Sequence, residues 1–126
     1  MKTALLALSL ILGASTVNAS TIVASCYGSY EKGRIGDNYT VSLEGNKLFV
    51  TNPYVKPVSF YFNDNTVEVD TAAQLRVVNV DRNRFFKDDK KSLTIDFTTG
   101  EGKLYVYEAL VSAVKAKVVY LSHCTR

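Results

Sequence analysis

The chain of 126 residues contains no tryptophan, one histidine, one methionine, two cysteines and two prolines. A zinc site with histidine ligands, or a Ser-His-Asp triad, would therefore have to use His123. The patterns H-E-x-x-H and G-x-S-x-G and the nucleotide-binding P-loop are also missing. These absences argue against several classes of enzyme. We expect no catalytic residue, no cofactor and no metal ligand.

The chain carries little net charge of either sign. Fifteen lysines and arginines face twelve aspartates and glutamates, which gives a formal net charge of +3 at pH 7. This excess is too small to attract a polyanion or an acidic membrane surface by charge alone. We therefore expect no nucleic-acid partner.

Long apolar runs are confined to the start of the chain. Ala4 to Ala14 is uncharged and has the length of a signal-peptide core, and Val17-Asn18-Ala19 supplies a cleavage site. The run is shorter than the roughly 20 residues that cross a bilayer. The sequence therefore predicts a signal peptide at residues 1–19, and a single periplasmic or secreted domain at residues 20–126 with no transmembrane segment.

A second processing site is present further along the chain. Val23-Ala24-Ser25-Cys26 resembles a lipoprotein signal, in which the cysteine becomes the lipidated first residue. The polar stretch from Ser15 to Thr21 separates this box from the apolar run, which favours cleavage after Ala19. A lipoprotein anchored at Cys26 stays open as the alternative.

The two cysteines lie near the two ends of the predicted domain. Export implies an oxidising compartment, and an even count with no other partner predicts a disulfide between Cys26 and Cys124. Such a bond requires the first and last strands to lie side by side or across a narrow core. The sheet must then bring its ends together, as a barrel or a closed sandwich does.

Alternating apolar and polar residues dominate the rest of the chain. Leu93, Ile95 and Phe97 alternate with polar residues, and glycines then lead into Lys103–Glu108, so this stretch predicts a β-hairpin. Similar patterns predict about eight strands in one small antiparallel barrel or closed sandwich. The nine candidate segments are residues 20–27, 39–43, 47–51, 58–62, 67–69, 75–80, 93–98, 103–108 and 111–121. For the last segment, a short helix or turn within Glu108–Ala116, followed by a strand through His123, stays open.

Turn residues predict how these strands are joined. Glu44-Gly45-Asn46 connects one hairpin, and Asn63-Asp64-Asn65 connects a second, between Val58–Phe62 and Val67–Val69. Pro57 marks the start of a strand or a sheet edge, because proline has no N–H for the ladder. In the last strand, the alternation places Val114, Ala116, Val118 and Tyr120 on one face, opposite Lys115 and Lys117.

Tyrosines provide the first candidate binding surface. Tyr105 and Tyr107 alternate with Leu104 and Val106, and Tyr61 lies between Phe60 and Phe62. If the aliphatic side faces the core, all three tyrosines point outward, where they could form a recognition surface of low entropic cost. The alternative is that aromatic residues simply suit strands and cross-strand pairs.

A charged segment from Asp81 to Lys91 provides the second candidate. It reads as an exposed connection with an aromatic anchor, which could dock an anionic partner. The alternative is a solvated loop whose phenylalanines cap the barrel, because Asp81, Asp88 and Asp89 offset most of the positive charge. The residues proposed for binding here are Arg82, Arg84, Phe85, Phe86 and Lys87.

The carboxylates allow one enzymatic hypothesis. Glu68, Asp70 and Asp96 alternate with apolar residues and are expected on solvent faces. A hydrolase would need Asp96 or Glu68 inside a cleft, paired at a defined spacing.

The general layout is similar in outline to that of periplasmic inhibitors of lysozyme, and more distantly to lipocalin-like binders. The shared features are a signal peptide, about eight strands and a cysteine near each end. We therefore expect an exported, monomeric, non-enzymatic binding protein that acts through its loops or an outer aromatic face on a protein or cell-envelope partner. An inhibitor-like role fits this description. A lipocalin-like carrier of a small ligand is the alternative, and it requires a continuous apolar cavity.

Overall fold

Alternating apolar and polar residues build most of the described chain into one antiparallel sheet. The computed structural model describes residues 20–63, 66–82, 88–109 and 114–126; the predicted signal peptide lies outside these ranges. Within them the sheet has nine strands, which confirms the prediction of an all-β fold. The strands are β1 (Thr21–Ser29), β2 (Asp37–Glu44), β3 (Lys47–Asn52), β4 (Val55–Tyr61), β5 (Val67–Asp70), β6 (Gln74–Arg82), β7 (Asp88–Asp96), β8 (Glu101–Ala109) and β9 (Val114–Thr125).

The first and last strands pair in the middle of the sheet. The strand order is β4-β3-β2-β1-β9-β8-β7-β6-β5, and every neighbouring pair is antiparallel. Two meanders therefore extend in opposite directions from the β1–β9 pair. The predicted hairpins β2–β3 and β7–β8 are confirmed, and so is the prediction that the ends of the domain meet. Pro57 lies in the edge strand β4, where a missing N–H is tolerated.

The sheet curls into a half-barrel, so the prediction of a closed barrel or sandwich of about eight strands is wrong. Its two edges are β4 and β5, and no ladder joins them. Following the antiparallel pairs from β1 in both directions shows that β4 and β5 run in the same direction. Val58–Phe62 and Val67–Val69 therefore do not form the predicted hairpin. The chain instead passes from one edge to the other between Tyr61 and Val67.

The core lies on the concave side of the curl. Phe60, Leu93, Ile95, Val41 and Val77 are the largest fully buried side chains, and they come from strands of both meanders. Leu48, Val50, Leu75 and Leu104 are buried in the same cluster, so the concave side is packed with side chains.

The two faces of the last strand are those that the alternation predicts. Ala116, Val118 and Tyr120 share one face, whereas Val119 and Leu121 lie on the other face and are buried, with 2% and 3% exposure. The register with β8 shows which of the two faces is the inward one, since Val119 lies opposite the buried Leu104.

A β-bulge at His123 then brings Cys124 to the buried face. Tyr27 of β1 pairs with Ser122, and Ser25 pairs with Thr125, so Cys26 faces two residues of β9 instead of one. His123 has a φ of 53°, the left-handed conformation that such an extra residue adopts. Without it, Cys124 would point away from Leu121 and out of the core. The bulge makes the disulfide possible.

The predicted disulfide joins Cys26 and Cys124, whose Cα atoms are 4.1 Å apart. Both cysteines belong to the core cluster. Their separation along the chain is 98 residues. Closing a loop of this length removes unfolded-state entropy worth about 4–5 kcal/mol. The bond therefore stabilises the central β1–β9 pair more than a short-range link could.

Two side chains, instead of a ladder, hold β4 against the other meander. The Asn79 amide of β6 accepts a hydrogen bond from the Tyr61 N–H (2.8 Å) and donates one to the Tyr61 carbonyl (2.9 Å). It also donates to the Thr66 hydroxyl (3.0 Å). The Lys91 ammonium group of β7 donates to the Ser59 carbonyl (2.5 Å). Asn79 thus binds the N–H and the carbonyl of Tyr61 as a neighbouring strand would. Its side chain is only 4% exposed, and these bonds give its buried polar atoms their partners.

Replacing Asn79 should weaken the contact of β4 with β6 and β7, here called the seam between the two meanders. Asn79→Ala leaves the Tyr61 N–H without its partner and removes one of two donors to the Tyr61 carbonyl, which also accepts from the Thr66 hydroxyl (2.6 Å). We expect the free energy of unfolding to fall by about 1–3 kcal/mol. Urea unfolding measures the loss. Asn38→Ala, at an exposed position of β2, is the matched control and should change stability by less than about 0.5 kcal/mol. Equal losses in the two variants would contradict the assigned role of Asn79.

Candidate functional site

The convex side of β6–β9 carries two of the three tyrosines predicted to point outward. Leu93, Leu104 and Val119 are register partners and are buried, so the residues that alternate with them face away from the core. Tyr105 and Tyr107 occupy such positions on β8. Their rings lie nearly parallel, with centroids 6.4 Å apart and an interplanar angle of 15°.

Apolar side chains of the neighbouring strands extend this aromatic pair into a patch. Tyr105 lies opposite Val118 of β9 and Ser92 of β7, and Ser92 in turn lies opposite Val78 of β6. Val78 pairs with Val67 of the edge strand β5. Val67 and Val80 are 50% and 44% exposed. We define the outer patch as Val67, Val78, Val80, Tyr105, Tyr107 and Val118.

Positive charge surrounds the outer patch. Lys90 lies opposite both Tyr107 and Val80, Arg76 lies opposite Thr94, and Lys103 lies opposite Thr94 and Tyr120. Arg76, Lys90 and Lys103 are exposed. On this face the carboxylates Asp96 and Glu101 pair with each other at the far end of β7 and β8, and Asp88 lies two residues from Lys90 on β7. Around the tyrosines, three exposed cations therefore outnumber the one carboxylate, that of Asp88.

Tyr61 belongs to a different part of the molecule. It lies at the end of β4 with 42% exposure, and its backbone is bound by Asn79. The Lys47 ammonium group lies 5.1 Å from its ring centroid, and that of Lys91 lies 5.8 Å away. The structure therefore places Tyr61 at the seam between the meanders, whereas Tyr105 and Tyr107 lie in the outer patch.

The connection between β6 and β7 is shorter than the predicted one from Asp81 to Lys91. β6 continues to Arg82 and β7 begins at Asp88, so Asp81 pairs with Asp89 and Arg82 with Asp88. Strand pairing thus extends into the predicted loop from both sides. The remaining binding candidates, Arg84, Phe85, Phe86 and Lys87, lie outside the described residues.

A groove lies beside the outer patch, between residues 30–36 and the far ends of β7, β8 and β9. It is a shallow, open depression of about 520 Å³, lined by residues that include Lys32, Thr94, Thr99, Glu101, Lys103 and Tyr120. A depression of about 290 Å³ adjoins it, bounded by Arg34, Ile35, Ser122 and His123. Gly36 holds the 30–36 connection close to β1, since a Cβ at this position would lie 1.8 Å from the Gly28 carbonyl oxygen.

Asp96 organises the turn at the end of this groove. Its carboxylate accepts hydrogen bonds from the Thr98 N–H (2.9 Å) and the Thr98 hydroxyl (2.5 Å). Hydrogen bonds to the charged form favour it, so Thr98 lowers the pKa of Asp96 below its ordinary value of 3.8. Asp96 therefore stabilises the β7–β8 turn as an anion.

This arrangement predicts how the stability of the turn depends on pH. The unfolded carboxyl group binds a proton at higher pH than the folded one, so the contribution of Asp96 is complete above about pH 5 and disappears as the pH falls through its lowered pKa. Asp96→Asn does not titrate and should lack this acidic loss. Urea unfolding of both proteins at pH 7, 5 and 3 measures it, and Thr98→Val, which removes one donor, should show an intermediate pH dependence. A difference between wild type and Asp96→Asn that stays constant with pH would contradict the prediction.

The other chemical candidates of the sequence lie apart from one another. His123 is at the bulge, where its ring contacts the Ser122 hydroxyl at 3.3 Å and the edge of Tyr27, with ring centroids 5.9 Å apart. Glu68 lies opposite Val77 and shares its inward-facing side of the sheet, whereas Asp96 lies on the convex side. The structure therefore does not bring Glu68 and Asp96 into one cleft. The described residues contain no group of three or more histidine, cysteine and acidic side chains that could hold a metal ion.

Sequence reasoning missed the groove. The strand pattern leaves the residues between the segments 20–27 and 39–43 as a plain connection, and it places Tyr120 on the same face as Val118 without a partner from another segment. The glycine pair Gly28 and Gly36 was the available signal, because two glycines flanking a short connection permit close backbone contact.

In comparisons with known proteins, no family model, no curated protein and no solved structure matches this chain. In the part of the chain that the structure describes, no helix is both long and apolar enough to span a bilayer.

Proposed function

We propose that this protein is an exported, non-enzymatic binding protein whose outer patch docks a protein partner with an acidic surface. The observation that carries the proposal is that the exposed Val67 and Val80 and the partly exposed, stacked pair Tyr105–Tyr107 share one face of a packed sheet. Apolar side chains gathered on one accessible face are typical of interaction sites. The disulfide is compatible with an oxidising compartment outside the cytoplasm.

The aromatic pair supports a binding role because its geometry is set before any partner arrives. Tyr105 and Tyr107 project from the middle of a strand that is paired on both sides, and their rings pack against each other. Little side-chain entropy is then lost on docking, and tyrosine offers a large apolar surface together with a hydroxyl group. Side chains of this kind are frequent among the residues that dominate interface energies.

The charges specify the chemistry of the partner. Lys90, Arg76 and Lys103 are exposed around the patch, and a complementary surface must present carboxylates at its rim. Such charges increase the rate of association and exclude partners of the same sign. We therefore propose an acidic protein with an apolar centre at its contact surface.

No observation favours the alternative of a small-ligand carrier. That function requires a continuous apolar cavity within the curl, and the concave side of the described sheet is packed with the side chains of the core cluster. The groove and its adjoining depression are both outside the core.

Site-specific photocrosslinking in the natural host tests the proposal. A photoreactive residue at position 107 should capture a partner, whereas one at position 54 should not, because Tyr54 lies on a distant turn although it is 79% exposed. The captured protein is then purified and its affinity measured by calorimetry. Tyr105→Ala/Tyr107→Ala should weaken binding at least tenfold, and Tyr54→Ala should leave it unchanged.

A charge-reversal variant tests the role of the positive side chains around the outer patch. Arg76→Glu/Lys90→Glu should weaken binding further as the salt concentration falls, since opposite charges across the contact become like charges. The proposal is overturned if position 107 captures nothing, if positions 54 and 107 capture the same protein equally, or if the folded double tyrosine variant retains full affinity.

A further inference from the structure

We propose that the groove between residues 30–36 and the strand ends of β7–β9 is a binding site for a neutral carbohydrate. It contains neither Tyr105 nor Tyr107 of the outer patch, although Lys103 borders both sites. The proposal goes beyond the protein-docking function, and its test does not depend on identifying a protein partner.

The shape of the groove suits a small, polar ligand. Its volume of about 520 Å³ leaves room for one or two sugar rings. Lys32 of the 30–36 connection bounds it on one side, and residues on the convex side of the sheet form the rest of its lining. The site is open and outside the core, so a ligand must be held by side chains at the surface.

Tyr120 supplies an aromatic surface within this groove. It is partly exposed, and the Lys103 ammonium group lies over its ring, 5.8 Å from the centroid. A pyranose ring has one apolar face of C–H groups, which packs against an aromatic ring. The flexible lysine side chain can move to the edge of the ring and donate to a hydroxyl group of the sugar.

The polar side chains of the groove include both hydrogen-bond donors and acceptors, and this mixture favours a neutral ligand over a charged one. Lys32 and Lys103 can donate hydrogen bonds, Glu101 can accept them, and the Thr94 hydroxyl can do both. The Thr99 hydroxyl, which already donates to the Asp96 carbonyl and accepts from the Glu101 N–H, can accept one more. A simple anion would lie close to Glu101 and Asp96, and a simple cation would lie close to the two lysines. Each hydroxyl group of a neutral sugar both donates and accepts, so it can use this mixed set without repulsion.

Nuclear magnetic resonance titration of the full protein tests this inference. The probes are maltotriose and tri-N-acetylchitotriose as neutral saccharides, with tri-galacturonic acid as the anionic comparison. At least one neutral trisaccharide should give saturable shifts of the backbone amides of Lys32, Gly102 and Tyr120, with a Kd in the range from about 0.1 to 10 mM, as expected for an open site with few contacts.

Matched variants identify the contacts. Tyr120→Leu retains an apolar side chain on β9 but removes the ring, and should weaken binding at least fivefold; Lys32→Ala, at an exposed position, should weaken it without affecting the fold. Tyr107→Ala, in the outer patch, should bind the saccharide as the wild type does. The inference is overturned if neither neutral trisaccharide produces saturable shifts in the groove, if tri-galacturonic acid binds more tightly than both, or if Tyr120→Leu and Lys32→Ala both bind with unchanged affinity.

Discussion

The pairing of β1 with β9, locked by the Cys26–Cys124 disulfide, is the constraint on which the rest of the structure depends. It joins residues 98 positions apart in the chain, so the unfolded chain must give up much of its entropy to form it without the bond. Once the pair is formed, each meander can add its strands by short local connections. The bulge at His123 belongs to the same constraint, since it orients Cys124 towards Cys26.

Because the two meanders extend in opposite directions from this central pair, the sheet has two edges, β4 and β5. At these edges, side chains take the place of a backbone ladder. β4 and β5 end the two meanders and run in the same direction, so they cannot pair as a hairpin. Asn79 satisfies the backbone of Tyr61 instead. Because Asn79 lies between Val78 and Val80 on β6, the strand that anchors the seam also carries part of the outer patch. Stability and the proposed binding surface therefore share this strand.

Local alternation was sufficient to predict the all-β fold, the hairpins β2–β3 and β7–β8 and the outward orientation of Tyr105 and Tyr107, and the number of cysteines predicted the disulfide. The half-barrel with two unpaired edges, the bulge at His123 and the groove could not be predicted in this way. They depend on contacts between separate segments, such as that of Asn79 with Tyr61 and that of Gly36 with Gly28. A pattern with a period of two residues also cannot reveal a bulge, because one extra residue reverses the faces of everything that follows it.

The most direct test of the central constraint is the free energy of unfolding of the oxidised protein and of Cys26→Ala/Cys124→Ala, measured in urea under the same conditions. If the disulfide anchors the β1–β9 pair by closing a loop of 98 residues, the variant should be less stable by about 4–5 kcal/mol, a loss large enough to unfold many small domains. A loss below about 1 kcal/mol would show that the two meanders hold together without it, and would contradict the account.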